Sequence, residues 1–306
     1  MGQDEHPEQR AGIIAGAVTY VVWGLLTIYW KQLHHFNAFE LIGWRITTAA
    51  VLMTLALTFT RRWGHLAVIR HDRQLFLRVV AASIFLSVNW TSYVWAIVNG
   101  DVLQTALGYF MAPLGTVAIG VLVLHEPLRL SQRVALSLAA AALVVLAVAN
   151  GRVPWIALAM ATSWTLYGYL KKQIPLSPLE SMAAESFVLI VPAAALVLAL
   201  AGRTNSIPSS ASGIELTFAV LTGAATVAPL MMFAYAARRV PLTIIGPMQY
   251  IVPSINFIIG WLLYDEALSP LRVVGFSLVW TGLAIMAVDS ARRARQSRSL
   301  NAVLTA

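Results

Sequence analysis

A chain of 306 residues that is 59% hydrophobic and only 11% charged does not have the composition of a soluble domain, where charged residues approach 25%. Its formal charge of +8 does not mark a nucleic-acid binder either, because the positive residues are scattered over short loops rather than gathered with aromatics on one face. Cysteine is absent, which excludes disulfides and thiolate chemistry. The six histidines fall in loops or at helix ends, so no metal site and no cofactor is expected.

A helix crosses the hydrocarbon core with about 20 apolar residues. Ten such segments can be marked, near 11–32, 38–60, 75–97, 101–124, 132–149, 153–172, 178–200, 214–236, 241–263 and 270–289. The polar tails, 1–10 and 290–306, are expected to be mobile. Asp4, Glu5 and Glu8 replace the basic start of a signal peptide, so the first apolar segment is expected to stay as a span. With the N-terminus in the cytoplasm, 16 of the 21 Lys/Arg fall on the cytoplasmic side and four on the other, Arg45 being the remaining one. That bias predicts a multi-pass protein with both termini inside.

The first span carries Tyr20 and Trp23, together with Gly12-x-x-x-Gly16, a close-packing motif that is weak evidence for a dimer when it occurs once. The second, beginning Glu40-Leu-Ile-Gly-Trp-Arg45, contains an arginine where a charge costs about 3 kcal/mol on insertion scales. The third brings Asn89, Trp90 and Tyr93; Trp95, near its end, suits the interfacial aromatic belt, as does Trp261 in the ninth. Tyr109 and Pro113 sit in the fourth, Trp164 and Tyr167 in the sixth, Glu185 in the seventh, and Gln249, Tyr250, Pro253 and Asn256 in the ninth. Buried polar side chains in lipid need partners, so these are expected to face inward. Glu126 and Glu266 precede the fifth and tenth spans, where a helix N-terminus favours a carboxylate.

Aligned with itself at an offset of 140, the chain matches residues 113–148 to 253–288 without a gap, with 12 of 36 positions identical, among them Pro113/Pro253, Gly120/Gly260 and Glu126/Glu266. Glu40 then meets Glu180, and Arg45 meets Glu185. Each half, 1–150 and 151–306, holds five spans, an odd number, so the second half enters the membrane from the opposite side. Inverted repeats of this kind characterise secondary transporters with a midplane site and alternating access. The architecture expected is therefore all-α and integral to the membrane, ten helices in two inverted five-helix repeats.

Arg45 and Glu185 each lie about 10 Å deep from opposite faces at 1.5 Å per residue. In a core of about 30 Å their heights differ by about 10 Å, which argues against a direct salt bridge and for a cavity between them. Each is a candidate for ligand binding or coupling, the alternative being a structural charge satisfied by backbone carbonyls. The candidate substrate-binding set is Trp23, Arg45, Asn89, Trp90, Tyr109, Glu185, Gln249 and Tyr250, with Glu185 also a candidate for proton coupling. Arg45→Ala and Glu185→Gln are both expected to abolish transport in a folded protein. Pro113 and Pro253, read as mid-helix, are candidate hinges, a static kink being the alternative. Nucleotide-binding and hydrolase signatures are missing, so no enzymatic activity is expected.

These residues together resemble the RarD family of EamA-type permeases in the drug/metabolite transporter superfamily. The resemblance spans all ten segments. In the first half it rests on Trp23-Gly24, Glu40 with Arg45, Asn89-Trp90, Ala106-Leu-Gly-Tyr-Phe110 and Pro113-Leu114. In the second it rests on Tyr167-Gly168 with Lys171-Lys172, on Glu185, on Pro229-Leu230 and on Gln249-Tyr-Ile-Val-Pro253 ahead of Tyr264-Asp-Glu266. It implies a ten-helix permease of the bacterial cytoplasmic membrane exporting small molecules; the family name is tied to chloramphenicol sensitivity, and relatives export amino acids and other metabolites. Two positions depart from the family pattern: Gln104 stands where a glutamate is usual, and Ala112 where an asparagine precedes the proline. A proton relay through that glutamate would not operate here. The expected function is secondary transport of a small amphipathic or zwitterionic metabolite or drug, with membrane lipid and protons as further partners. Arg45 would meet an anionic group, Glu185 a proton or an ammonium. Rival readings are a flippase for lipids or lipid-linked precursors and a non-transporting accessory subunit.

Overall fold

The computed structural model describes residues 7–122, 125, 129–151, 153–237, 239–240 and 248–304, and among these it is helical, with no strand. In chain order the helices are α1 (Pro7–Lys31), α2 (Ala38–Thr60), α3 (Trp63–His71), α4 (Arg73–Val98), α5 (Val102–Leu122), α6 (Leu130–Asn150), α7 (Trp155–Lys171), α8 (Pro178–Leu200), α9 (Ile207–Ser210), α10 (Gly213–Ala237), α11 (Ile251–Ile258) and α12 (Pro270–Leu304), with a π-helical turn, Ile259–Leu263, extending α11. Eight of them are long and apolar enough to cross a membrane. Of the two other predicted spans, α7 has 17 residues and the apolar stretch Ile251–Leu263 is shorter still. The short helices α3 and α9 belong to loops. α12 continues through the polar tail to Leu304, where the sequence suggested a mobile end.

Local chemistry fixes the helix ends. The Asn37 carbonyl accepts from the Phe39 amide (2.9 Å) at the start of α2, and Asp72 accepts from Gln74 and Leu75 (2.8 and 3.0 Å) at the start of α4. Ser177 and Glu180 form a reciprocal capping box on α8, which Pro178 opens. α2 stops where Arg61 turns left-handed (φ 54°). Outward faces carry Phe59, Val191, Leu198 and Ile214, all more than two-thirds exposed, as a lipid-facing surface requires and a water-facing one does not.

Helices 140 residues apart in sequence pack on one another in antiparallel pairs. α2 lies along α8, α5 along α11, and α6 along α12. Their direction is fixed by contacts: the Ser131 hydroxyl at the start of α6 donates to Asp289 far along α12 (3.0 Å), and Asn256 of α11 donates to Thr105 near the start of α5 (3.2 Å). Cross-packing follows the same exchange, α1 against α10 and α11 where α7 packs against α4 and α5. Small residues permit the closest approaches; a Cβ on Gly223 of α10 would stand 2.5 Å from the Ala49 amide of α2. The Gly12-x-x-x-Gly16 face is used inside the bundle: a Cβ on Gly12 would meet Val240 at 2.7 Å, and Gly16 faces Ala236 and Met248. It is therefore not free for a second copy.

The paired glutamates make reciprocal clasps. Glu40, at the start of α2, accepts the Ile207 amide (2.8 Å) that opens α9 after α8. Glu180, at the start of α8, accepts from His65 of α3 after α2 (2.6 Å), with Arg62 at 3.8 Å. Glu266 does not cap the helix that follows it: its carboxylate accepts the amides of Val102 and Leu103, the latter at 2.9 Å, at the start of α5. Burial pushes the Glu266 carboxyl above its ordinary range, and the two amides pull it partly back. Glu126 lies outside the described residues.

Candidate functional site

A cavity of about 430 Å³ opens between the two sets of helices. It is within the usual range for small-molecule sites and mostly apolar with few polar groups, as such sites are. Its lining includes Lys171, Ile174 and Pro178, from the end of α7 and the start of α8, and the 6% exposed Arg45 of α2. Trp30 and Leu33 are fully buried, and a hydroxyl–amide chain crosses the core. In that chain Thr27 donates to the Asn256 carbonyl (2.8 Å) and lies 2.9 Å from the Tyr93 hydroxyl. A second hollow of about 470 Å³, around His34–Glu40 and Arg203–Asn205, shares no lining residue with the first.

Arg45 is 6% exposed. Its guanidinium lies 4.0 Å from the Trp90 ring centre and 5.4 Å from that of Trp30, and its buried Nε has no hydrogen-bond partner. No carboxylate pairs with it among the described residues. A desolvated cation–π contact contributes about 2 kcal/mol, whereas burying an ion costs several. The rings orient this charge without neutralising it.

Glu185 is 1% exposed, and its position contrasts with that of Arg45. Oε1 is 2.7 Å from Lys171 Nζ and accepts from the Ser181 hydroxyl (2.9 Å), while Oε2 accepts from the Tyr167 hydroxyl (3.1 Å). Lys171 also donates to Ser181. These three partners line the cavity and Glu185 sits behind them. Helix α8 puts Ser181 and Glu185 on one face by their spacing of four, and the short turn after α7 folds Lys171 back onto them.

Two aromatic groups complete the site. Tyr93, Tyr109, Trp164 and Tyr167 follow one another at ring separations of 5.9, 6.1 and 5.7 Å, forming a row from the region of Arg45 to that of Lys171. A second group has Trp23 against Tyr20 (5.5 Å) and Phe233 (5.7 Å).

Of the residues singled out in the sequence, Trp23, Arg45, Trp90, Tyr109 and Gln249 line the cavity. Asn89 does not. It is fully buried, donates to the Met160 carbonyl (3.1 Å) and accepts from Tyr109 (3.3 Å), so it reaches the cavity only through the tyrosine it holds. Tyr250 packs beside the α5–α6–α12 core instead. Pro113 lies inside α5, whereas Pro253 is the third residue of α11, where the missing amide is one that no helix bonds; it is not mid-helix. Sequence reasoning missed Lys171 and Ser181 as cavity residues, having counted the lysine as a loop charge. The available signal was the antiparallel turn 172–177, which brings the residue before it against those after it.

The profile of the EamA-like transporter family matches twice, over residues 10–148 and 153–288. The chain is similar to the protein RarD of Streptomyces exfoliatus, 42% identical and covering 95% of this chain and 93% of that one. It is also similar to the uncharacterized transporter YojE of Bacillus subtilis (35%; 96% and 99%) and to RarD of Escherichia coli (28%; 92% and 96%). A crystal structure with 18% identity superposes with a TM-score of 0.59 over 93% of this chain and 99% of its own, which bears on the fold alone.

Proposed function

The chain belongs to the EamA-like transporter family, as a RarD-type permease with several membrane-spanning helices, and from that premise we propose that it moves a small amphipathic metabolite or drug outward across the bacterial cytoplasmic membrane by alternating access. The observation that carries this reading is the cavity lined by the buried Arg45, which has no carboxylate partner among the described residues. Two inverted five-helix repeats, 1–150 and 151–306, make the ten-helix unit; the antiparallel pairing of α2 with α8, α5 with α11 and α6 with α12 supports that arrangement. The excess of Lys/Arg in the loops on the side where α7 ends and α8 begins supports a reading with that side and both termini in the cytoplasm; the cavity would then belong to an inward-facing state. Exchanging the roles of the two repeats produces the outward-open partner state. Proton coupling through Glu185 would require protonation to release Lys171.

The absence of native cysteine permits a direct test. A single cysteine at Met231, on the cavity wall, is exposed in separate preparations to a membrane-impermeant maleimide from each side of oriented vesicles. Alternating access predicts labelling from both sides. Labelling from the cytoplasmic side alone, in a protein of native melting temperature, would identify a static cavity.

A further inference from the structure

We infer that the cavity selects an organic monoanion that carries an aromatic ring, an arylalkyl carboxylate, and rejects the zwitterion and the amine built on the same ring. The inference rests on the transport reading above and narrows its substrate class.

Four observations converge on it. First, the charges on the cavity wall do not cancel. Among the described residues, Arg45 and Lys171 line it and no Asp or Glu does, yet Lys171 is already bonded to Glu185, which leaves one positive charge to be met. Second, that charge has unmet donors. The Arg45 guanidinium carbon lies 4.0 Å from the Trp90 ring centre, and a ring contact of this kind leaves guanidinium N–H donors without an acceptor. A carboxylate engages such donors with two parallel bonds. The partnerless Nε, buried and on a side chain 94% removed from solvent, is one of those donors.

Third, among the described residues no carboxylate lines the cavity to meet an ammonium. Glu185 is the carboxylate nearest the cavity, and its two oxygens are occupied by Lys171, Ser181 and Tyr167. Binding a zwitterion would leave its ammonium without a counter-charge in an apolar enclosure. Aromatic rings alone would also suit a cation, but Arg45 in the lining opposes it. Fourth, ring surfaces line the cavity, among them Trp23, Tyr109, Trp164 and Phe233, which favour an aromatic ring stacked or edge-on. The expected pose puts the ring against these surfaces and the carboxylate on Arg45.

The test uses three probes that share a phenyl ring: 3-phenylpropionate, phenylalanine and 3-phenylpropylamine. Binding to the detergent-purified full chain is read by calorimetry, and flux by counterflow in proteoliposomes. Phenylpropionate should bind at least ten-fold tighter than either of the others, and Arg45→Gln should bring the three within about three-fold. Arg45→Lys should keep the order with a weaker preference. Preference for phenylalanine or the amine, equal affinity, or binding of none overturns the inference, and the wild-type ranking decides this whether or not Arg45→Gln folds. Counterflow is a separate arm. Phenylpropionate that binds in the stated order without moving overturns the transport reading and leaves the selectivity standing, while movement of phenylalanine in its place keeps transport and overturns the selectivity.

Discussion

Arg45 and Glu185 are each the eighth residue of their helices, α2 and α8, and each is almost completely buried. One is surrounded by rings and has no counter-charge; the other is saturated by a lysine and two hydroxyls. Equal positions in two halves therefore carry unequal duties. On the proposed reading, matching positions in two halves supply two buried charges, of which a ligand would need only one. Glu185 is closed by a lysine from the adjacent helix, whereas Lys31 at the end of α1, which matches Lys172 rather than Lys171, bonds the Ile97 carbonyl (3.3 Å) and lies over the Tyr264 ring. A lysine would repel Arg45, so α1 cannot do for Arg45 what α7 does for Glu185.

The largest effect that sharpens this contrast is on stability. Glu185→Gln strands the partly exposed Lys171 ammonium beside a neutral amide. Losing one member of a buried pair costs about 3–5 kcal/mol, and solvent at the lysine, which is 28% exposed, reduces that to about 2. The melting temperature in detergent should fall by several degrees, and Lys171→Met in the same chain should restore most of it. Arg45→Gln strands no partner and should leave the melting temperature unchanged or raised. The sequence alone suggested loss of transport with intact folding for both positions; if Glu185→Gln melts like the wild type and is inactive, the two charges are equivalent and the contrast fails.

A smaller effect concerns the clasps, which are symmetric where the charges are not. Glu40→Ala leaves the Ile207 amide unbonded at the start of α9, a loss of about 1–3 kcal/mol. Glu180→Ala removes a helix cap, worth about 1 kcal/mol, and the contact to His65 and Arg62, which salt screens. Hydrogen exchange should quicken at 207–210 in the first variant and at 63–71 in the second, each glutamate steadying the loop of the opposite half. Faster exchange confined to the mutated residue's own half would refute the reciprocity.

Much of this was legible in the chain. The apolar segments, the offset of 140 and the oddity of Arg45 required only composition and spacing, because a bilayer admits few solutions for such a sequence. The charge bias and the ring-bearing spans likewise pointed to an enclosed site. What stayed hidden were partners chosen by packing. Lys171 reads as one more loop cation until α7 and α8 are seen to fold against each other, and Asn89 reads as a ligand group until the Met160 carbonyl is found beside it. Glu266 was assigned to the helix that follows it because sequence adjacency suggested it, yet the open amides belong to α5. Helix ends from distant parts of the chain are not visible in a linear pattern.

The smallest expected effect separates the two prolines, which the repeat equates and the fold does not. Pro113 interrupts the amide ladder inside α5, next to Ala112, whose carbonyl accepts from the Thr165 and Thr116 hydroxyls (both 3.2 Å). Alanine there would return a donor and straighten a helix whose Tyr109 and Ala112 line the cavity. Pro253 occupies the first turn of α11, where alanine adds a donor that the helix does not need. If the bend in α5 is a hinge, Pro113→Ala should slow the appearance of far-side labelling at Met231Cys by about three- to ten-fold, an order-of-magnitude expectation for about 1 kcal/mol in a barrier, while Pro253→Ala leaves it unchanged. Equal slowing by both would mean that α11 flexes as α5 does and that the two halves move alike; no slowing by either would make the bend in α5 a fixed part of the cavity wall.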